Sequence, residues 1–342
     1  MTSEPELEQR SLGRNALKVS ALGFGAAPIG DLYAQLDDEA AIGAVVASVK
    51  AGMTLVDTAP LYGHGLAEHR VGTALRRIGR DTVTLSTKVG RWMSPARGAD
   101  IRSGYFGGAP FLATIDYSYD GTLRAIEQSL LRLGTDRIEI ALIHDVDRRN
   151  HGDKLESNFA EAVSGAWTAL ARLRDEGVIK AIGVGVNEAE ICSRFAERCD
   201  LDCVLLAGRY SLLEQGALDS FLPVAMQRGI GVLLGGVFNS GILATGAVAG
   251  AKYDYADAPP AILDRVAKIE AICARFDLPL AVAALAFPRA HPAVSSIVLG
   301  AVSPGEVARN LLAWRSHVPV ELWHALKREG LLHPDAPTPG QS

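Results

Sequence analysis

Asp57, Tyr62, Lys88 and His144 are the residues whose types and places point most directly to chemistry. Asp57, Lys88 and His144 each close a short apolar run (53–57, 82–88 and 138–144), and Tyr62 stands five positions after Asp57. A lysine at the end of Thr82-Val83-Thr84-Leu85-Ser86-Thr87 is unusual, because burying an ammonium without a partner is very costly. Asp57, on the neighbouring run, is the natural partner. A phenol ionises near pH ~10, too high for proton exchange at neutrality, and a nearby ammonium lowers that value by stabilising phenolate. Asp57 is therefore expected to hold Lys88, Lys88 to tune Tyr62, and His144 to donate to a substrate oxygen. Together they make a general acid/base set for interconverting an alcohol and a carbonyl. The set has no hydride source of its own, so it requires a nicotinamide. Singly, Asp57 could cap a segment, Tyr62 could pack and His144 could be a satisfied core histidine. Their joint placement at the same end of three successive runs favours the chemical reading.

Such residues need a frame that brings strand ends together. Eight short runs rich in Val, Ile and Leu occur at 19–25, 53–57, 82–88, 138–144, 179–186, 203–210, 230–237 and 295–300, as for strands buried on both faces. Helical patterns lie between them. Ile42, Val45, Val46 and Val49 share one face before Gly52; Leu123, Ile126, Leu130 and Leu133 share another before Gly134; Val163, Ala166, Trp167, Leu170 and Leu173 repeat it before Gly177. Those glycines stand where left-handed C-caps belong. Pro259 and Pro260 suit a helix start ahead of Ile262, Val266 and Ile269. The alternation reads as an α/β chain folded into a (β/α)8 TIM barrel, with a doubly wound sheet as the alternative. Residues 1–18 read as an N-terminal β-hairpin turning at Gly13-Arg14-Asn15. Long loops follow the third run (89–118) and the seventh (238–259), and loops of such length are usually functional. The whole of 1–342 reads as one domain, with 1–9 and 331–342 as loose ends.

Composition narrows the field. Hydrophobic residues at 48% and charged residues at 21% exclude a disordered chain or a coiled coil. A net charge of −5, without clustered Lys or Arg, argues against nucleic acid as a partner. No apolar run reaches the ~18 residues of a membrane span, and the polar, acidic start carries no secretory pattern. Cys192, Cys199, Cys203 and Cys273 form no Cys-x-x-Cys pair, so reduced thiols and a cytoplasmic location are expected. No oligomeric seam is legible on the helix faces.

Read in order, Asp57-Thr58-Ala59-Pro60-Leu61-Tyr62-Gly63, Ser86-Thr87-Lys88 and Leu142-Ile143-His144-Asp145 resemble the aspartate–tyrosine, lysine and histidine signatures of the aldo-keto reductases. Arg10-Ser11-Leu12-Gly13 with Val19-Ser20-Ala21-Leu22-Gly23-Phe24-Gly25 resembles that family's opening hairpin and first strand. Gly177-Val178-Ile179-Lys180-Ala181-Ile182-Gly183-Val184 resembles the approach to its fifth. The resemblance covers roughly residues 10–328. It implies a nicotinamide dinucleotide extended across the strand ends and Asp57, Tyr62, Lys88 and His144 as catalytic residues. Pro60-Leu61-Tyr62-Gly63 and the long insert are similar to bacterial sugar dehydrogenases acting at C1 of D-threo-aldoses such as L-fucose, and to their pyridoxal-oxidising relatives. The chain departs from the family's usual cofactor contacts on strands five to seven. Asn187 stands without a preceding serine, Ala207 replaces a common glutamine, and Gly235-Gly236 replace an aromatic residue, leaving Phe238 as the nearest ring.

The resemblance implies cofactor contacts at Gly25, Ala26, Asn187, Gly236, Val237, Phe238, Asn239, Gly241, Gly300, Ser303, Glu306 and Asn310. Glu306 near the adenosine end would repel a 2′-phosphate and can accept a hydrogen bond from a ribose hydroxyl, which favours NAD. Ser303-Pro304-Gly305-Glu306 is also a capping box, and Arg309 close by leaves NADP open. The expected substrate is a sugar such as L-fucose or D-arabinose, or another small aldehyde. Candidate contacts are Tyr33, Arg91, Trp92, Asp145 and Arg209, for a pocket of polar groups over an aromatic floor. Tyr105 and Phe106 in the insert are candidates for a lid. Gly23-Phe24-Gly25 is a weak match to a dinucleotide loop, because the third glycine is missing and Pro28 interrupts the helix start. A metal-dependent hydrolase would need further ligands, such as a His-x-His pair on the first run, which has none, so no metal is expected. A non-enzymatic scaffold would have no use for a buried Lys88.

Overall fold

A computed structural model describes residues 7–96 and 105–340. The chain opens on a hairpin of β1 (Gln9–Leu12) and β2 (Asn15–Ser20). Its turn needs Gly13: φ is +58°, and a Cβ there would meet the Gly229 carbonyl oxygen at 2.3 Å. The first apolar run splits, because Val19 and Ser20 finish the hairpin and the next strand starts at Leu22. That strand is β3 (Leu22–Gly25), followed by β4 (Leu55–Asp57) and β5 (Thr84–Val89). An antiparallel ribbon, β6 (Arg91–Pro95) with β7 (Phe111–Ile115), stands in the long insert, of which 97–104 lie outside the described residues. Then come β8 (Ile140–His144), β9 (Ala181–Val186), β10 (Cys203–Ala207) and β11 (Gly231–Gly235). The second long loop holds a helical turn (Ile242–Thr245) and a small ribbon, β12 (Lys252–Tyr253) with β13 (Ala256–Asp257), before β14 (Val294–Gly300). Strands β3, β4, β5, β8, β9, β10, β11 and β14 pair in parallel in that order and close into a barrel, the (β/α)8 architecture expected from the alternation of runs and helices.

Each barrel strand is buried on both faces, and its side chains alternate between two cores. Leu55, Ile140, Leu142, Ala181, Leu205, Leu233 and Val298 fill the barrel, and Leu12 and Val19 of the hairpin seal its floor. Val56, Leu85, Ala141, Ile143 and Val204 face outward, packing with α1 (Asp38–Lys50), α2 (Leu66–Ile78), α3 (Tyr119–Leu133) and the later helices. The helix signals act as their chemistry dictates. Asp37 and Ser118 cap α1 and α3 by accepting from Ala40 and Gly121 N–H, and Gly134 ends α3 at φ +60°. Pro259 and Pro260 open the helix Pro260–Ala274. The alternation puts Leu55 and Asp57, Ser86 and Lys88, and Leu142 and His144 on the inner face. Asp57, Lys88 and His144 thus arrive at the carboxyl ends of neighbouring strands, where a barrel's apolar filling gives way to its working surface.

The described parts of the ends expected to be loose, 7–9 and 331–340, carry packed side chains. Leu7 is buried and Gln9 pairs with Ser20. Leu331, Leu332, Ala336 and Thr338 are buried, and Arg265 and Lys327 donate to the carbonyls of Leu331 and Pro334. The tail's apolar side chains dock although it forms no regular element. Residues 1–6 and 341–342 lie outside the described residues. All four cysteines are free and buried, and burial pushes the Cys273 thiol up to about 11 and that of Cys199 to about 12. No described helix is long and apolar enough to cross a membrane, and no three His, Cys, Asp or Glu among the described residues are grouped to hold a metal ion.

Candidate active site

Lys88 Nζ lies 2.7 Å from Asp57 Oδ2 and 2.8 Å from the Thr58 carbonyl oxygen, and Ser86 Oγ donates to Asp57 Oδ1 at 2.8 Å. The lysine is 1% exposed, so its charge is held by partners rather than by water. Its stem runs past Gly185 on β9, where a Cβ would lie in ordinary van der Waals contact with Lys88 Cε at 3.4 Å. Tyr62 begins the turn Tyr62–Gly65, which is pressed against the turn after β3: a Cβ on Gly63 would come 2.4 Å from Gly30 O. The ammonium sits 4.8 Å from the centre of the Tyr62 ring, and the His144 ring meets Tyr62 edge-on at 5.9 Å. The four residues selected from sequence thus converge on one spot.

The electrostatics differ from the sequence expectation in one respect. Tyr62 was expected to ionise easily beside Lys88. Its phenol is instead held well above the ordinary value, first by burial and then by the Asp57 carboxylate. The ammonium's field is largely spent on Asp57, so it does not offset the loss of water. His144 is pushed the other way: burial first, then the Lys88 and Arg91 cations, hold its imidazole neutral. The resting site therefore presents a protonated phenol and a neutral imidazole, and both can donate to one oxygen.

Above them opens a cleft of about 1170 Å³, counting its mouth. Asp57, Tyr62, Gly25, Asn187, Gly236, Val237, Phe238, Asn239, Gly241 and Gly300 all line it, as do Tyr33 and Arg209 of the substrate candidates. The other expected contacts do not line it. Ala26 is fully buried, with its N–H on the Asp57 carbonyl, and Ala27 and Pro28 face the cleft in its place. Ser303, Glu306 and Asn310 do not line it. Ser303 caps its helix by accepting from Glu306 N–H, Glu306 accepts from Val302 N–H at 2.9 Å, and Asn310 donates to the Gly300 carbonyl. The local capping reading of Ser303-Pro304-Gly305-Glu306 therefore prevails, with Glu306 reaching back to Val302. Trp92 is structural: its indole donates to Asp116 and its ring carries Arg124. Arg91 and Asp145 face each other at 3.0 Å rather than the cleft, beside His144. Of the lid candidates, Phe106 is exposed with its N–H on the Asp31 carbonyl, whereas Tyr105 lies inward, near the charges of Asp145 and Arg91.

Sequence reasoning did not find Leu32, Asp254 or Tyr255, which also line the cleft. Asp254 reaches it from the β12–β13 turn, tied to Arg209 at 3.1 Å and Arg149 at 3.3 Å. No local signal marks a surface turn as a wall of a distant cleft.

Three of the seven residues of the wall at 235–241 are glycine, which leaves main chain bare at Gly235, Gly236 and Gly241. Gly236 and Gly241 have φ of +61° and +100°, and a Cβ on Gly241 would meet nothing within 4 Å. A trough of exposed backbone suits an extended ligand that must approach the chain closely, as a dinucleotide does. The aldo/keto reductase family model matches residues 21–327. The chain belongs to the aldo/keto reductase family. It is 42% identical over 336 residues to pyridoxal 4-dehydrogenase of Microbacterium luteolum, covering 95% of this chain and 98% of that one. It is 35% identical over 329 residues to D-threo-aldose 1-dehydrogenase of a Pseudomonas species, covering 94% and 96%. Among solved structures, an aldo-keto reductase of Bacillus halodurans in its holo form superposes with a TM-score of 0.72 at 23% identity, over 98% of this chain and 99% of that one, which supports the fold. This aldo-keto reductase is accordingly an NAD(P)-dependent oxidoreductase.

Proposed function

We propose that this enzyme oxidises the hemiacetal carbon of a small cyclic substrate to a lactone, with NAD as hydride acceptor, and that the substrate is an aldose such as L-fucose or D-arabinose. Pyridoxal is the second reading, favoured by the 42% identical relative. The two share their chemistry, because pyridoxal also closes a hemiacetal ring onto its neighbouring hydroxymethyl group. The observation that carries the proposal is the buried Asp57–Lys88 pair beneath Tyr62, with neutral His144 across the ring.

On this reading Asp57, Tyr62, Lys88 and His144 are the catalytic residues. The anomeric hydroxyl sits between the Tyr62 phenol oxygen and the His144 imidazole. Tyr62, as phenolate, takes the hydroxyl proton while the C1–H bond is cleaved, and His144 donates to the same oxygen as it becomes the lactone carbonyl. A bound oxidised nicotinamide would supply the acceptor for the hydride leaving C1. Lys88 stabilises phenolate, and Asp57 keeps Lys88 in place. The cofactor would lie along Gly25, Asn187, Gly300 and the bare wall from Gly236 through Val237, Phe238 and Asn239 to Gly241. Tyr33 and Arg209, joined by Tyr255 and Asp254, would surround the sugar ring. NAD is favoured over NADP because Arg309, in the helix that follows Ser303, lies 3.7 Å from the Glu306 carboxylate.

The test is a panel of L-fucose, D-arabinose and pyridoxal with NAD and NADP, read by absorbance of the reduced cofactor. Turnover of an aldose with NAD supports the reading; turnover of none of the three overturns it. Tyr62→Phe should lower turnover by about 10²–10⁴, the usual contribution of a positioned proton donor or acceptor. Its NADH binding, followed by fluorescence, should stay unchanged.

A further inference from the structure

Arg91 and Asp145 form a buried ion pair outside the cleft lining, against the reactive histidine. We infer that this pair is a positioning device: it decides which ring nitrogen of His144 carries the proton, and so makes the imidazole a donor to the reacting oxygen.

The argument begins with the backbone. Asp145 follows His144 directly, and on an extended strand its side chain would point to the opposite face. Instead it has φ +55°, in the left-handed region, and its N–H donates to the Gly185 carbonyl at 2.9 Å. The turn brings the carboxylate back beside the preceding ring. Asp145 Oδ1 lies 3.4 Å from His144 Nε2, and Oδ2 lies 3.0 Å from Arg91. The histidine backbone is fixed as well, since the Tyr117 hydroxyl donates to the His144 carbonyl at 2.7 Å.

A carboxylate can only accept. The nitrogen facing it must therefore carry hydrogen, and a neutral imidazole has one such hydrogen to place. The Asp145 carboxylate assigns it to Nε2. At 3.4 Å the contact is long for a hydrogen bond, so the proton remains available to a substrate oxygen. Arg91 is needed because the carboxyl is buried. Burial pushes Asp145 up from its ordinary value, and the guanidinium opposes that shift. A protonated Asp145 could itself donate, and the tautomer would no longer be dictated. The other groups bearing on His144 are Lys88 on β5 and Tyr62 after β4, while Asp147 adds negative charge near Asp145. The inference rests on the donor role proposed for His144, but not on any one substrate.

The first test needs no substrate. In enzyme carrying ¹⁵N-labelled histidine, long-range proton–nitrogen spectra report the tautomer of His144, assigned by its loss in His144→Gln. The wild type should show a neutral ring protonated at Nε2. Asp145→Gly, which keeps the left-handed backbone without strain, should give a mixture or the Nδ1 form. Asp145→Asn, which also tolerates that backbone and keeps an acceptor oxygen, should restore Nε2. In steady-state assays with the best substrate of the aldose and pyridoxal panel, Asp145→Gly should lower kcat by about 10- to 100-fold, part of what a positioned donor supplies. KM should change little, and Asp145→Asn should recover most of the loss. Arg91→Met should add an acid limb, with activity falling as Asp145 takes up a proton, and Arg91→Lys should remove that limb. An unchanged Nε2 tautomer in Asp145→Gly overturns the inference. So does a raised KM at constant kcat, which would make the pair a substrate contact. If no panel substrate is turned over, the proposed substrate class fails while the spectra still decide the tautomer.

Discussion

Replacing Lys88 by Met keeps an unbranched side chain of similar length and deletes the charge. The Asp57 carboxylate, 2% exposed, then keeps the Ser86 hydroxyl at 2.8 Å as its side-chain donor, and the Thr58 carbonyl loses its ammonium. Removing one partner of a buried ion pair costs about 3–5 kcal/mol, because the other charge is left without compensation. Against a total stability of about 5–15 kcal/mol, that is a large share. The loss has a pH signature. A carboxylate stranded in apolar surroundings takes up a proton, so the folded variant binds more protons than its unfolded chain. Its deficit therefore grows as pH rises and shrinks on the acid side. The double variant Asp57→Asn/Lys88→Met removes both charges and should regain most of the stability, yet remain inactive for want of an ammonium beside Tyr62. Urea unfolding followed by tryptophan fluorescence at pH 5.5 and pH 8, with turnover measured in parallel, separates the two effects. A Lys88→Met deficit under about 1 kcal/mol at pH 8, the size expected of an exposed pair, would refute the claim that the pair is desolvated.

The remaining expectations concern proton, cofactor and backbone. The Tyr62 phenol is held up by burial and Asp57; in the proposed mechanism oxidation uses its ionised form and reduction its protonated form. The oxidation kcat should therefore climb with pH into the alkaline range while reduction falls there, and oxidation fastest below pH 7 would contradict this. Glu306→Gln releases Arg309 toward a 2′-phosphate and should raise the NADP-to-NAD ratio of kcat/KM. The gain should not exceed about fivefold, because exposed pairs are worth about 0–1 kcal/mol; an unchanged ratio would place the adenosine end elsewhere. Gly236→Ala forces a Cβ into a φ of +61°, 3.2 Å from Gly208 N. It should cost about 1–2 kcal/mol and raise KM for NAD, as read by thermal unfolding and steady-state kinetics.

Much of the site was legible because burial makes charge conspicuous. Lys88 stood out at the end of an apolar run, and Asp57 was its natural partner on the next one. The barrel was legible for a related reason: strands covered on both faces cannot alternate polar and apolar residues, and helices that cover them must. The direction of the Tyr62 shift was not legible, since it is set first by burial and then by the Asp57 carboxylate, both of which depend on how the folded chain surrounds the phenol. The loop contacts were hardest. Trp92, Arg91 and Asp145 all follow strand ends, where any polar residue could face a ligand, yet Trp92 binds Asp116 and Arg91 binds Asp145.

The sequence by itself determined the architecture and the candidates for the reacting groups, because the periodicity of apolar residues and a charge at the end of an apolar run are read directly along the chain. Only the tertiary structure decided which way those groups ionise and which loop residues reach the cleft. Those outcomes depend on ångström separations between residues far apart in sequence, such as Asp254 and Arg209 at the cleft mouth.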